Sequence, residues 1–166
     1  MGVTRDQVLQ KLEQDRASLL AAVADIPEDV MQTQAVIEQW TVKDLLGHIA
    51  LWQQVAIQFI RDYRATGLPI SLGLQDDAAV DEYNQRGATL RHDWPLERVR
   101  AELDETQREL TAAVQALTDE DLSKPLPAPW DSATTLEWLI AINSYAHEPE
   151  HVEQIQQATG LKPQVK

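Results

Sequence analysis

Three histidines have the residue type and spacing of a metal site. His147 and His151 are four residues apart, so on a helix they lie one turn above each other and can reach one ion with both imidazoles. His48 shares a helix face with Leu45 and Trp52, which predicts that it points toward the core. A third ligand from a neighbouring helix leaves one coordination position for water or substrate. Spacing alone leaves open that all three are ordinary buried histidines.

The other chemically useful side chains are few. Cysteine is absent, so thiolate ligands and a cysteine nucleophile are excluded, and any metal must be held by His, Asp or Glu. His92 lies in the stretch LRHDWP and is predicted to be a surface residue. Glu150 could approach a metal, but it is predicted to face solvent. The sequence identifies no catalytic side chain.

Composition excludes several classes of partner. The chain has 166 residues, which fits one domain, and its 14 Lys and Arg against 27 Asp and Glu give a net charge of −13. Such a charge repels the phosphates of nucleic acids and anionic membrane surfaces. No apolar run approaches the length of a membrane-spanning helix, and the N-terminus does not resemble a signal peptide. We therefore expect a cytoplasmic protein with no nucleic-acid or membrane partner.

Helices must position the histidines. Apolar residues recur at helical spacing, and the sequence shows no strand pattern. The predicted helices are 5–25, 42–65, 76–92, 96–117 and 135–158. Capping boxes are predicted at Thr4 with Gln7, Thr41 with Asp44, and Thr134 with Glu137. Four of these helices are long and carry an apolar stripe, which predicts an all-α four-helix bundle in a single domain, 1–166.

Two stretches resemble those of a known family. Residues 40–52, WTVKDLLGHIALW, resemble the second-helix signature of the DinB/YfiT-like superfamily, and residues 143–155, NSYAHEPEHVEQI, resemble its closing helix. The resemblance implies a bundle with up-down-down-up topology and a metal site at His48, His147 and His151. It also implies a thiol-dependent transferase or a hydrolase, with a low-molecular-weight thiol as a co-substrate in the first case. The ClbS/DfsB-like branch, which contains the colibactin self-resistance proteins, is a neighbour with a similar bundle.

The chemistry expected of such a site is activation of a nucleophile. Zn²⁺ or Ni²⁺ held by three neutral imidazoles lowers the pKa of a water or a thiol, which would then attack a small-molecule substrate. Trp52, Tyr83, Asn84 and Asn143 are candidates for lining the pocket, although ordinary positions on the helix surface and in the core are the simpler interpretation.

Pro149 lies between two of the histidines and cannot donate a backbone N–H, so it should bend the last helix. We expect a tolerated kink; a break in the helix would put the pairing of His147 with His151 in doubt. Two other functions stay open: a non-enzymatic small-ligand-binding bundle, and a metal-free protective hydrolase of the ClbS-like type. A homodimer, formed through the first and third helices, is also an open alternative.

Overall fold

The computed structural model describes residues 2–160, which form a helical bundle with one short hairpin. The helices are α1 (Arg5–Val23), α2 (Glu28–Thr33), α3 (Val42–Thr66), α4 (Asp77–Arg91), α5 (Leu96–Gln115), α6 (Asp119–Ser123), α7 (Leu136–Ile142) and α8 (Glu148–Thr159). The strands are β1 (Ala35–Ile37) and β2 (Trp40–Thr41). The first four predicted helices are confirmed to within two residues at each end. Within the described residues, no helix is both long and apolar enough to cross a membrane.

Lateral contacts confirm the up-down-down-up topology. Gln54 hydrogen-bonds Glu102, and Arg61, two turns further along α3, pairs with Glu109, two turns further along α5. These two helices therefore run parallel, which requires a long crossover, and residues 67–95 with α4 supply it.

Contacts of α1 complete the assignment. Arg16 on α1 donates to the Leu103 carbonyl, whereas the earlier Leu12 accepts from the later Gln107, so α1 and α5 are antiparallel. Lys11 lies over the Tyr145 ring and Arg16 faces Glu148, so the closing segment runs parallel to α1. The order is therefore up, down, down, up.

Two of the three predicted capping boxes are confirmed. The side chains of Thr4 and Thr41 accept from the third residue of the helix that follows, and the reciprocal bonds are present. The third is wrong, because the cap of α7 is Thr135, which accepts from the Trp138 N–H. The Thr134 amide donates to Asp131 instead and its carbonyl accepts from Leu126, so this residue belongs to the preceding loop.

The predicted single helix 135–158 is also wrong. α7 ends at Ile142, because the side chains of Asn143 and Ser144 donate to the Leu139 and Ile140 carbonyls, which the next helical turn would otherwise use. A turn follows, and α8 starts at Glu148 with Pro149 in its first turn, where no backbone N–H is needed. The helix thus breaks ahead of the proline instead of bending at it.

The expectation of no strand is wrong for residues 35–41. β1 and β2 pair antiparallel, with Ile37 opposite Trp40 and Glu38 at a positive φ of 49° in the turn. Local alternation is too short here to be read from the sequence, and α3 packs against the hairpin. The hairpin holds Trp40 immediately before the cap of α3.

Candidate metal centre and cavity

The break between α7 and α8 does not separate the two histidines of the closing segment. His147 is the N-cap residue of α8 and His151 lies in its first turns, and their Nε2 atoms are 2.9 Å apart. Nε2 of His48, from α3, lies 3.2 Å from Nε2 of His147. The structure therefore brings together the three histidines singled out in the sequence. His92 lies exposed at the end of α4, outside the cluster.

Burial keeps these imidazoles neutral. It lowers the pKa of His48 to about 2 and that of His147 to about 4, with smaller contributions from the neighbouring histidines. The pKa of His151 is also lowered by burial, against an opposing effect of its hydrogen bond to Gln154. Neutral imidazole is the form that ligates metal ions.

The arrangement of protons in the cluster fits a cation. Nδ1 of His151 lies 2.8 Å from Oε1 of Gln154, an acceptor, so His151 carries its proton there and turns a bare Nε2 lone pair to the cluster. A proton on Nε2 of His147 can point to Nε2 of His48 or to Nε2 of His151, but not to both. One of these two close nitrogen pairs is then left without a hydrogen bond, and a cation bound between the lone pairs would remove this unfavourable contact.

The nitrogen spacing also fits a metal. Ligands held at about 2.0–2.1 Å in tetrahedral geometry stand about 3.3 Å apart. The two observed separations, 3.2 and 2.9 Å, are close to this value. The cluster is thus compatible with a divalent ion.

A cavity of about 570 Å³ opens above the cluster, and the three histidines lie on its floor. Of the pocket candidates, Trp52, Asn84 and Asn143 line it. Trp52 donates from Nε1 to Oδ1 of Asn84 at 3.0 Å, which fixes the indole. Tyr83 packs against Trp52 with the two rings tilted and their centroids 5.4 Å apart, and it is not among the lining residues.

Other lining residues were not singled out in the sequence. Trp40 places its ring 5.2 Å from that of His48. Glu38, Asp81 and Glu150 contribute carboxylates; Glu150 is exposed, as predicted, but also lies at the cavity wall. Only the tertiary arrangement brings the hairpin turn, α4 and α8 to one opening, so no local pattern identified this set.

A largely buried polar layer leads to the start of α8, next to His147. Gln53 is fully buried and donates to Glu148 at 2.7 Å and to Gln107 at 2.8 Å, while it accepts from Thr106 at 2.8 Å. Arg16 lies 3.6 Å from Glu148 in the same layer. Burial raises the pKa of Glu148 and lowers that of Arg16, and their mutual attraction opposes both shifts. Because Glu148 follows His147, this layer anchors the start of α8.

Comparisons with known proteins agree with this architecture. The sequence profile of the DinB superfamily matches residues 11–155. The uncharacterised protein YuaE of Bacillus subtilis (strain 168) is 25% identical over 140 residues, which cover 80% of this chain and 85% of YuaE.

Solved structures extend the agreement to the whole fold. The colibactin self-resistance protein ClbS, crystallised with a dsDNA, superposes with a TM-score of 0.81 at 14% identity, covering 96% of this chain and 97% of ClbS. DfsB, a sibling lethal factor precursor, superposes with a TM-score of 0.81 at 16% identity over the same shares. At these identities the likeness shows the fold alone.

Proposed function

The chain belongs to the DinB superfamily, and from this we propose that it is a metal-dependent enzyme whose Zn²⁺ or Ni²⁺ ion is held by His48, His147 and His151. The observation that supports this most strongly is the convergence of the Nε2 atoms of three histidines, two of them buried and one half-buried, at a cavity that a small molecule can enter. Three neutral nitrogen ligands suit zinc or nickel better than the two-histidine-one-carboxylate pattern of iron enzymes.

The bound ion would supply the Lewis acidity that makes a water or a low-molecular-weight thiol nucleophilic at neutral pH. The surrounding residues orient the ligands and limit the access of water. Gln154 holds the His151 ring through Nδ1. The rings of Trp40 and Trp52 lie 5.2 and 6.3 Å from that of His48 and line the cavity that leads to the cluster. The reaction is transfer or hydrolysis at a small-molecule substrate.

Metal content tests the proposal. Untagged protein, purified without added metal and analysed by inductively coupled plasma mass spectrometry, should carry about one equivalent of zinc or nickel, as expected for one set of three histidine ligands. His48→Ala should lose the metal while its far-UV circular dichroism stays that of a helical bundle. His92→Ala is the matched control, because His92 is exposed and lies outside the cluster.

Three outcomes oppose the proposal. Equal metal content in His48→Ala and wild type would contradict the ligand assignment. Wild-type protein that takes up no metal even when zinc or nickel is supplied would favour a small-ligand-binding bundle. Substrate turnover that survives complete chelation would favour a metal-free protective hydrolase.

We propose a small molecule and not a nucleic acid as the substrate. ClbS was crystallised with a dsDNA, but the net charge of this chain is −13, and phosphate contacts need cationic side chains. An electrophoretic mobility shift assay with duplex DNA at low salt should show no complex. A salt-sensitive complex at micromolar protein would refute this.

Homodimerisation stays a prediction. Leu20 on α1 is 47% exposed and provides apolar surface on one of the helices named for it. Light scattering coupled to size-exclusion chromatography measures the mass directly, and a mass of 18.7 kDa at all concentrations would contradict a dimer.

A further inference from the structure

The charged groups of the cavity are all of one sign. Glu38 from the hairpin turn, Asp81 from α4 and Glu150 from α8 line it, and within residues 2–160 no lysine or arginine does. A buried polar group lines the same cavity: His48 is 8% exposed, and its Nδ1 has no hydrogen-bond partner among the described residues. A divalent ion would offset two of the three negative charges. An anionic ligand would therefore meet no cationic side chain in this part of the chain.

The cations near the cavity have partners elsewhere. Arg91 is 5% exposed and forms two hydrogen bonds, of 2.6 and 2.7 Å, to the carboxylate of Glu102. Lys43 donates to the carbonyls of His92 and Trp94. Neither side chain lines the cavity. Recruiting either one to an anion would break contacts that hold α3, α4 and α5 together.

The indole rings that line the cavity favour a positively charged ligand. Trp40 and Trp52 both line the cavity, with ring centroids 5.2 and 6.3 Å from that of His48. Indole faces attract cations within about 6 Å of the ring centroid, and this attraction strengthens when water is excluded. Carboxylates together with indole rings are a combination that recognises ammonium groups.

A second, mainly apolar cavity adjoins the first. This second cavity, of about 270 Å³, shares Trp52, Val80, Ile142 and Asn143 with the first. Its remaining lining is mainly apolar and includes Phe59 and Trp130. A molecule that occupies both spaces has an apolar body next to its charged group.

We propose that this cavity selects a positively charged small molecule with an apolar body, of the alkylammonium class, and disfavours any substrate or thiol that carries a carboxylate. The inference rests on the proposed function, since it assigns the substrate class of the same site. It follows from three carboxylates on three elements, two indole walls and an adjoining apolar space.

Two probes of equal chain length test the selection. Hexyltrimethylammonium cannot ligate a metal, and hexanoate carries the opposite charge. Binding is measured by isothermal titration calorimetry on the full chain, with and without one equivalent of zinc. We expect the cation to bind at least about ten-fold more tightly than hexanoate to the metal-free protein, a preference that added salt reduces. Tryptophan fluorescence should change on binding.

A charge-matched pair of variants locates the effect. The triple variant Glu38→Gln, Asp81→Asn, Glu150→Gln should lose about ten-fold in affinity for the cation. The control Glu13→Gln, Asp25→Asn, Glu97→Gln removes the same charge from exposed residues outside the cavity and should bind as wild type.

The outcomes separate this inference from the proposed function. Equal or tighter binding of hexanoate to the metal-free protein, no binding of either probe, or equal losses in the two triple variants would overturn the inference. Selective cation binding by a chain that takes up no metal would overturn the enzyme proposal alone.

Discussion

Two buried polar regions meet at the start of α8, and they differ in how their groups are paired. In the layer of Arg16, Gln53 and Glu148, all three side chains are buried, and opposite charges and an amide face each other. In the histidine cluster, three like groups face each other and line a cavity. The layer therefore has the features of a structural element, whereas the cluster, whose groups are alike and border a cavity, has those of a ligand site. Four predictions test this difference.

The largest expected effect is a loss of unfolding free energy when the polar layer is disrupted. Arg16→Met leaves the buried Glu148 carboxylate without its cation, which should lower the free energy of unfolding by about 3–5 kcal/mol. Adding Glu148→Gln should restore part of this loss, because the amide can still accept from Gln53. Urea denaturation of the metal-free proteins measures both values. A loss no larger than that of His48→Ala would remove the distinction between the two regions.

The second-largest expected effect is the stabilisation of the folded protein by zinc bound at the histidine cluster. Zinc at a free concentration 100 times its dissociation constant should stabilise wild-type protein by about 2.7 kcal/mol through binding to the folded state. The melting temperature should rise on zinc addition and return on chelation. His48→Ala should show neither change, whereas Arg16→Met, although less stable, should keep the zinc response. A zinc response retained in His48→Ala would show that the ion binds elsewhere.

A smaller effect is expected from the group that orients His151. Gln154→Ala removes the acceptor of the Nδ1 proton and should weaken metal affinity by about 10–100-fold with little change in unfolding free energy. Gln157→Ala is the matched control, since Gln157 is exposed on α8 and its side chain donates to Glu153, away from the histidines. Competition with a chromophoric chelator reports the affinities; equal values in the two variants would mean that Gln154 does not support the site.

The smallest effect concerns neither region. Thr135→Ala removes the N-cap of α7 and should cost about 1 kcal/mol of unfolding free energy. Metal affinity should stay at the wild-type value, because this cap lies outside both the cluster and the layer. A substantial fall in metal affinity would show that the position of α7 is coupled to the histidines.

Much of the architecture could be predicted from local pattern. The periodicity of apolar residues and the capping residues Thr4 and Thr41 located the first long helices, since these signals act within one or two turns. The break after Ile142 could not be predicted in this way. It depends on the side chains of Asn143 and Ser144 taking helix carbonyls, and the same residues could equally have continued the helix.

The residues of the site also fall into those that the sequence could predict and those that it could not. Residue type and spacing singled out His48, His147 and His151, because metal ligation needs particular atoms and an inward face. The carboxylates of Glu38 and Asp81 carry no such signal, since exposed acids are frequent throughout this chain. Only the tertiary structure, which brings the hairpin turn and α4 to the mouth of one cavity, identifies them as part of the site.

The sequence by itself therefore determined the helical class, the helix caps Thr4 and Thr41, and the three imidazoles. All of these depend on short-range spacing or on side-chain chemistry. The tertiary structure alone decided that His147 and His151 still converge across a broken helix. It also decided which charges border the cavity and which side chains close the polar layer. These features depend on packing between segments far apart in the chain, for which no local pattern exists.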